Sequence, residues 1–254
     1  MAGILFWICV LALACFGVWL TLPWLTVYWI WTLLALRSLD LECEAVVTRL
    51  NAGDLEAARA QLAMIVGRDT AGLVEPDIVR AVVETMSENL NDAVIAPLFY
   101  LALAGPVAMA GYKAANTLDS MVGYKSDRYR DFGWFSARMD DIASFIPARV
   151  SVVLVWLAAL LLGMDSKQSY RITIRDAASQ PSPNSGYPEA AFAGALGVQL
   201  GGLSFYAGEP TCKAFLGEPR RPLTPAVVRE SRKLLYTASS LMILSVWMVM
   251  FQWR

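Results

Sequence analysis

The sequence predicts an all-α, polytopic integral membrane protein with amphipathic helices and room for a re-entrant one, built as one membrane domain over residues 1–254. Of these residues, 57% are hydrophobic and the mean hydropathy is +0.47, more apolar than soluble domains usually are. Apolar segments lie at about 4–36, 93–112, 145–163 and 234–251, and a helix needs about 20 apolar residues to cross a bilayer. The net charge of −1 gives no sign of a nucleic-acid partner.

The first apolar segment has no charged residue between Gly3 and Leu36. It predicts one long kinked helix or two short ones, with Pro23 as the break. Because the first basic residue is Arg37, the segment lacks the basic start of a signal peptide. The chain also has no histidine and only four scattered cysteines, so we expect no zinc site.

Several helices are predicted between and after the apolar segments. Residues 54–70 repeat apolar side chains at helical spacing and predict an amphipathic helix with Asp54 as N-cap and Gly67 as stop. The next helix is predicted to begin near Pro76, since proline suits a first turn. Residues 136–149 predict a further helix. Residues 164–233 predict a polar region with a loop at 179–202.

A stripe of charged side chains lies in the helix that begins near residue 76. Arg80, Glu84 and Glu88 recur at four-residue spacing, with Asp92 one turn further. One explanation is a solvated face with ion pairs between successive turns. The stripe runs directly into the apolar segment 93–112, however, and ionisable groups inside membranes tend to face a bundle interior or a cavity. We therefore favour a functional face.

The apolar segment 93–112 is interrupted by Pro97 and by the pair Gly105-Pro106, and such breaks occur where backbone is buried in protein or lines a cavity. A simple crossing would separate the polar residues on its two sides by about 30 Å of hydrocarbon. We therefore predict that residues 90–118 form a broken helix or hairpin that bends at Gly105-Pro106. This hairpin would set residues 116–123 beside the charged stripe.

The candidate catalytic and ligand-binding residues lie in three polar regions, 67–92, 113–149 and 182–208. They supply carboxylates, which suit Mg²⁺ bound together with substrate phosphates. They also supply arginines for phosphate or carboxylate contacts, and glycines that let backbone N–H groups approach an anion. The residues alone therefore indicate a membrane site for an anionic, phosphorylated substrate.

These regions contain five strings that resemble one known family in its own order. The strings are "GRDT" (67–70), "RAVVETMSENLNDAVIAPLFY" (80–100), "NTLDSMVGY" (116–124), "RYRDFGWFSARMDDIASFIPAR" (128–149) and "SPNSGYPEAAFAGALGVQLGG" (182–202). They resemble the adenosylcobinamide-phosphate synthase family of cobalamin biosynthesis, the CobD/CbiB group. Family members usually begin with a further apolar segment that this chain lacks. A late start, a fragment or a lost piece would each explain the difference, and each bears on activity.

The resemblance implies a multi-pass enzyme of the cell's inner membrane whose active site faces the cytoplasm. Its implied reaction is an ATP- and Mg²⁺-dependent amide bond between a corrinoid, adenosylcobyric acid, and aminopropanol or aminopropanol phosphate. Membrane lipid and other enzymes of cobalamin assembly are the further partners that the resemblance implies. Two alternatives stay open. One is a non-catalytic scaffold or signalling relative. The other is a transporter, although the hydropathy shows no inverted repeat.

The resemblance also assigns roles by position, against the alternative that each residue is an ion pair holding the bundle together. Glu84, Glu88 and Asp92 are the predicted catalytic residues, as bases toward the amine or as groups that orient arginines. Asp119, Asp140 and Asp141 are predicted to hold Mg²⁺. The predicted substrate- and phosphate-binding residues are Arg68, Asp69, Thr70, Arg80, Asn89, Asn116, Ser120, Lys125, Arg128, Arg130, Arg138, Asn184 and Gly186.

Overall fold

In the computed structural model of the chain, which describes residues 2–123 and 131–252, helices dominate. Helices α1 to α4 span Ala2–Leu33, Leu36–Asn51, Leu55–Leu62 and Glu75–Leu90, and a π-helical turn follows at Asn91–Ile95. Helices α5 to α8 span Ala96–Val122, Trp134–Ala143, Phe145–Leu161 and Ser166–Asp176, before a 3₁₀ turn at Ala177–Ser179. Helix α9 (Gly186–Leu196), strands β1 (Gln199–Tyr206) and β2 (Glu209–Gly217), and helix α10 (Pro225–Gln252) complete the order. The predicted all-α membrane class is confirmed, with one antiparallel β-hairpin added to it.

Within the described residues, three helical stretches are long and apolar enough to cross a membrane: Ala2–Leu22, Glu75–Val122 and Pro225–Gln252. The pair α6 and α7, bent by 44° at Ser144, is a fourth candidate if it counts as one span. Each of the four predicted apolar segments overlaps one of these elements, although 4–36 and 145–163 extend beyond them. The predicted helix over 136–149 is thus interrupted at Ser144.

Helix α1 is kinked, as predicted for the first apolar segment. Leu25, two residues after Pro23, has the non-helical dihedrals φ −122° and ψ 17°. Across this bend the indole Nε1 of Trp29 donates a hydrogen bond to Thr21 Oγ1 at 2.8 Å.

Helix α5 is a hairpin that turns at the predicted position. Ala104 and Gly105 leave helical geometry, and Gly105 adopts the left-handed φ of +79° immediately before Pro106. The rings of Tyr100 and Tyr112 stack with their centroids 5.2 Å apart. Twelve residues of straight helix would instead span about 18 Å, so the chain doubles back on itself.

The chain forms two compact units, and each is described by itself. The first comprises Met1–Ala35, Asp92–Pro147 and Met242–Arg254. In it, α1 packs on α5 and α6, with Trp7 in an edge-to-face contact with Phe135 at 5.3 Å. The prediction of one domain over the whole chain stays a prediction.

The second unit comprises Leu36–Asn91 and Ala148–Leu241. Its centre is α9, whose residues from Pro188 to Leu196 are all buried. This helix packs closely on α8, because a Cβ added at Gly194 would lie only 2.4 Å from the backbone oxygen of Gln168. Only glycine fits at that crossing.

Two local predictions in the second unit are wrong in part. Asp54 does cap α3, accepting a hydrogen bond from Ala57 N at 2.9 Å, but the helix ends at Leu62 and not at Gly67. The predicted loop 179–202 contains α9 and the start of β1. Two signals in the sequence favour that helix: Pro188 in its first turn, and Gly197 as a left-handed C-cap with φ +65°. The start of α4, with Pro76 in its first turn, is confirmed.

Candidate functional site

The carboxylate of Glu84 lies at the centre of the polar residues of the second unit. The Glu84 residue is only 4% exposed. Its Oε2 accepts a hydrogen bond from Arg68 Nη2 at 2.5 Å, and its Oε1 accepts one from the Gly201 backbone N–H at 2.8 Å. Both oxygens are therefore engaged. Of the two roles predicted for Glu84, this geometry supports the one that orients an arginine.

Arg80, one turn earlier on α4, binds the same residue, Gly201, through its carbonyl. Its Nη1 donates to the Gly201 carbonyl, and its Nη2 donates to Leu203 O at 3.1 Å and Asp77 Oδ1 at 3.2 Å. Gly201 and Gly202 both adopt left-handed φ angles, +82° and +84°, at the point where the register of β1 shifts against β2. Arg80 and Glu84 together therefore position this irregular part of β1.

The loop of residues 67–70 is fastened to the β-hairpin. The backbone N–H of Asp69 donates to Phe205 O at 2.8 Å, and Asp69 Oδ2 accepts from the Gly208 N–H in the β1–β2 turn at 2.7 Å. Thr70 contributes a backbone carbonyl that accepts from Leu73 N at 3.2 Å. These contacts hold the hairpin, so Asp69 is placed as a positioning residue.

A cleft of about 580 Å³ opens between this loop and the hairpin, and Arg68 and Arg80 are among its lining residues. Burial alone would lower the pKa of Arg68, but the carboxylate of Glu84 outweighs burial and raises that pKa. The Arg68 guanidinium is therefore charged. An anion is the ligand class that such a wall attracts.

Two charged residues of this region, Glu189 and Lys213, were not among the site residues predicted from the sequence. Glu189 of α9 is 2% exposed; burial raises its pKa well above the usual range, and the carboxylates of Glu88 and Glu84 raise it further. Burial lowers the pKa of Lys213 on β2, but Glu189 and other acidic neighbours outweigh burial and raise it. One signal could have identified Glu189, because it is the only charged residue between Asp176 and Glu209 in the sequence.

The loop 182–186 is organised by a residue of α7. Arg149 donates to Asn184 Oδ1 at 2.9 Å and to Pro183 O at 3.2 Å, and its guanidinium carbon lies 3.9 Å from the ring centroid of Tyr187. A Cβ added at Gly186 would lie 2.1 Å from the Ala177 backbone oxygen. The Asn184 side chain and Gly186 thus have structural tasks, and the substrate contacts predicted for them stay predictions.

The first unit brings together the predicted metal-binding residues. The carboxylates of Asp92, Asp119 and Asp141 all lie close enough to Asp140 to interact with it electrostatically. Asn116 Nδ2 donates to Asp140 Oδ1 at 3.2 Å. The result is a cluster of carboxyl groups contributed by three parts of the chain.

Lys113 lies beside these carboxylates. Its ammonium is 3.4 Å from the Asp92 backbone oxygen and 3.5 Å from Asn116 Oδ1. Asn116 therefore links a cation to the carboxylate of Asp140. The lysine places a positive charge next to the four carboxyl groups, and a nearby cation favours their ionised form.

The oxygen donors of this cluster fit the chemistry of Mg²⁺. In the part of the chain that the structure describes, no group of three or more His, Cys, Asp or Glu side chains is arranged to hold a metal ion by itself. Magnesium usually binds through one or two carboxylates together with substrate phosphates. The assignment of Asp119, Asp140 and Asp141 to Mg²⁺ therefore stays a prediction.

The other predicted residues lie in less specific surroundings. Asn89 donates to Thr85 O at 3.0 Å within α4, and Ser120 donates to Asn116 O at 3.0 Å within α5. Arg138 is 62% exposed and lies 3.7 Å from Asp141 on the same helix. Lys125, Arg128 and Arg130 lie outside the described residues. Whether the clusters of the two units form one site stays a prediction.

The comparisons with known proteins are consistent with one another. A family model described as CobD/Cbib protein matches residues 1–235. Cobalamin biosynthesis protein CobD of Geobacter metallireducens is 53% identical over 84% of this chain and 67% of its own length. The protein of the same name from Yersinia enterocolitica is 50% identical over 88% of this chain and 70% of its own length.

The protein of that name from Listeria monocytogenes serotype 4b is 44% identical over 99% of this chain and 80% of its own length. This chain therefore spans between about two thirds and four fifths of these relatives. No solved structure matches it at a significant level. With a family model covering most of its length and relatives of this similarity, the chain belongs to the CobD/Cbib protein family.

Proposed function

We propose that this protein acts in cobalamin biosynthesis as the ligase that joins adenosylcobyric acid to aminopropanol or aminopropanol phosphate. Family membership supports a role in cobalamin biosynthesis, because the relatives bear the name cobalamin biosynthesis protein. The amide-forming step itself is proposed because the five sequence strings resemble those of amide-forming synthases. The product would be adenosylcobinamide or its phosphate.

The chemistry of such a step sets what the site must supply. A carboxylate and an ammonium group do not form an amide spontaneously in water, so the carboxylate needs a better leaving group. ATP would provide that activation, and Mg²⁺ held by carboxylates such as Asp119 and Asp140 would offset phosphate charge. The residues themselves must bind anions, receive an ammonium group and keep water from the activated carboxylate.

The observation that supports this function best is the buried charged cluster of the second unit. Arg68 and Glu84 form an ion pair at 2.5 Å with side chains only 8% and 5% exposed, and Arg68 also lines an open cleft of about 580 Å³. A buried pair of this kind is a weak source of stability. Its retention beside a cleft is better explained by the need to present a fixed guanidinium to an anionic substrate.

Localisation is part of the proposal. The long apolar helices support a multi-pass membrane protein. We place it in the inner membrane with its active site toward the cytoplasm, because ATP is available there.

Product formation in isolated membranes tests the proposal. Membranes containing the protein are incubated with adenosylcobyric acid, ATP, Mg²⁺ and either aminopropanol or its phosphate, and cobinamide species are measured by mass spectrometry. We expect product that depends on the protein, the nucleotide and the metal. Equal product without nucleotide would contradict an ATP-dependent ligase. No product from this chain or from an N-terminally extended form would favour the scaffold alternative.

A further inference from the structure

A basic cleft of the second unit lies beside the first turns of α10. It has a volume of about 440 Å³. Its lining residues among those described are Leu162, which directly follows α7, and five residues of α10, namely Arg229, Arg232, Lys233, Tyr236 and Thr237. Arg229, Lys233 and Thr237 recur at four-residue spacing, so they share one face of the helix. Three positive charges and two hydroxyl groups thus line one open space, and no acidic residue is among the described residues that line it.

Two of the three cations have no partner within the part of the chain that the structure describes. Arg232 is engaged, because its Nε donates to Asp40 Oδ1 at 2.6 Å and its Nη1 donates to Glu44. Arg229 and Lys233 are both exposed, and neither takes part in a hydrogen bond or an ion pair with a described residue. Their donors and charges are therefore available to an anion that enters the cleft.

Both walls of the cleft lie at the end of an apolar stretch of sequence. On α10, residues 234–253 contain no charged side chain, and about 20 apolar residues suffice to cross a bilayer. This helix is among those long and apolar enough to span a membrane. On the other wall, Leu162 lies near the end of the uncharged residues 150–164. Both walls pass from apolar to polar sequence at the cleft, as expected at the surface of a membrane.

We propose that this cleft binds the head group of an anionic phospholipid, with Arg229 and Lys233 at its phosphate and its acyl chains continuing past Leu162 into the bilayer. Basic pockets between membrane helices bind such head groups. A soluble phosphate compound would match the basic residues but would gain nothing from the position at the membrane surface. A zwitterionic phospholipid is a poorer ligand, because its choline group brings a positive charge close to the same cations. The site is separate from the cleft at Arg68 and does not depend on the proposed reaction.

Selective binding of lipid in detergent tests the site. The purified full chain is mixed with phosphatidylglycerol or with phosphatidylcholine of the same acyl chains, and bound lipid is counted by mass spectrometry of the intact complex. We expect the parent to prefer phosphatidylglycerol. One basic residue near an anionic lipid surface is worth about fivefold in affinity, so Arg229→Gln and Lys233→Gln should each weaken phosphatidylglycerol binding by about that factor. Binding of phosphatidylcholine should change little.

The matched control for the double variant of Arg229 and Lys233 is Lys167→Gln combined with Arg171→Gln. These two residues are exposed on α8, have the same four-residue spacing and lie outside the cleft. The control removes the same charge and should bind phosphatidylglycerol like the parent. An equal loss in both double variants would show that the lipid responds to surface charge in general, and this would overturn the proposal. Equal binding of both lipids by the parent would overturn it as well.

Competition separates a lipid from a soluble anion as the ligand. Inorganic phosphate and glycerol phosphate carry the same charged group without acyl chains, so neither should displace bound phosphatidylglycerol when present at the lipid's own concentration. Displacement by either compound would identify the cleft as a site for a soluble anion and would contradict the proposal.

Thermal stability gives a second and independent measurement. A ligand that binds only the folded protein raises its stability. Phosphatidylglycerol should therefore raise the melting temperature of the parent and of the control, but not that of the double variant of Arg229 and Lys233. Should that double variant not fold, the two single variants carry the same test, because each changes one exposed side chain. An equal rise in the parent and in the variants of Arg229 and Lys233 would contradict the site.

Discussion

The carboxylate of Glu84 holds the guanidinium of Arg68 at 2.5 Å, although sixteen positions separate the two residues in the chain. The other oxygen of Glu84 accepts the N–H of Gly201, more than a hundred residues further on. One buried side chain thus joins the loop 67–70, helix α4 and strand β1. The three strings of sequence in which these residues lie meet through it.

Removing the charge of Glu84 should destabilise the second unit. Glu84→Gln can still accept the hydrogen bond from Gly201, but it leaves Arg68 as a buried charge without its partner. Breaking a buried ion pair in this way costs about 3–5 kcal/mol. We expect a clearly lower melting temperature in detergent and a loss of product formation. Glu56→Gln, which changes an exposed carboxylate of α3, should melt like the parent; equal melting of both variants would contradict the prediction.

Protonation of Asp40 on α2 should lower the stability of the protein at acidic pH. Asp40 is 1% exposed. Its carboxylate accepts hydrogen bonds from Arg232 Nε at 2.6 Å and from the Tyr236 hydroxyl at 2.7 Å. Burial raises the pKa of Asp40, but these hydrogen bonds outweigh burial and hold the pKa below its ordinary value of 3.8. The stabilisation is therefore fully present above that ordinary value and is lost as the pH falls through the lower pKa of the folded protein.

The measurement for Asp40 is the melting temperature as a function of pH. At neutral pH, Asp40→Asn should lose about 3 kcal/mol, the low end for a buried pair, since Arg232 keeps some contact with water. Its melting temperature should also fall less steeply toward acid than that of the parent. Glu75→Gln, at an exposed position in the first turn of α4, should follow the parent curve. Parallel acid profiles for Asp40→Asn and the parent would show that another group is responsible.

Replacing either of two glycines of the second unit by a larger residue should lower the stability of the fold. A Cβ at Gly194 would lie 2.4 Å from Gln168 O, and one at Gly186 would lie 2.1 Å from Ala177 O. Because backbone cannot move aside cheaply, alanine at either position should cost about 1–3 kcal/mol through overpacking. Gly67→Ala, with open space around the added methyl, is the control and should leave thermal stability unchanged. Normal stability of Gly186→Ala with loss of substrate binding would restore its predicted role as a substrate contact.

Neutralising the aspartates of the first unit should abolish turnover and spare the fold. Asp119→Asn and Asp140→Asn each remove a carboxylate from the predicted Mg²⁺ site, and a metal supplies several kcal/mol of transition-state charge stabilisation. Both variants should insert and elute normally on size exclusion but form no cobinamide. Asp131→Asn, at an exposed position in the same unit, should keep activity. If both variants turn over normally, these aspartates have no catalytic role.

The end of α5 should face the cytoplasm. Thr117 is exposed, and the hairpin at Gly105 returns Lys113 to within 3.4 Å of Asp92 O. A single cysteine at Thr117, in a chain lacking the native four, should react with a membrane-impermeant thiol reagent in inverted vesicles and be protected in intact cells. Labelling in intact cells would contradict the cytoplasmic orientation. Cysteine at Leu103, an exposed residue near the hairpin tip, reports separately on how deep the tip lies.

The sequence by itself determined the membrane class, the positions of the apolar helices and the break at Gly105-Pro106. These features depend on local causes: hydrophobic length, the absence of a proline N–H and the freedom of glycine at positive φ. The five strings were likewise enough to indicate the family. Asp54 as the N-cap of α3 and Pro76 in the first turn of α4 are local signals too, and both predictions are confirmed.

Only the tertiary structure decided what each charged residue does. Glu84 could serve as a base or as an orienting group until Arg68 and Gly201 were seen to occupy both its oxygens. Glu189 lies in the string 182–202 without a predicted role, and Lys213 lies outside all five strings. The charge environment of both follows from packing beside groups far away in the chain. Burial and partnership are set by long-range packing, because a side chain's solvation and charge environment depend on which distant segments cover it. A spacing of four along one helix cannot specify that.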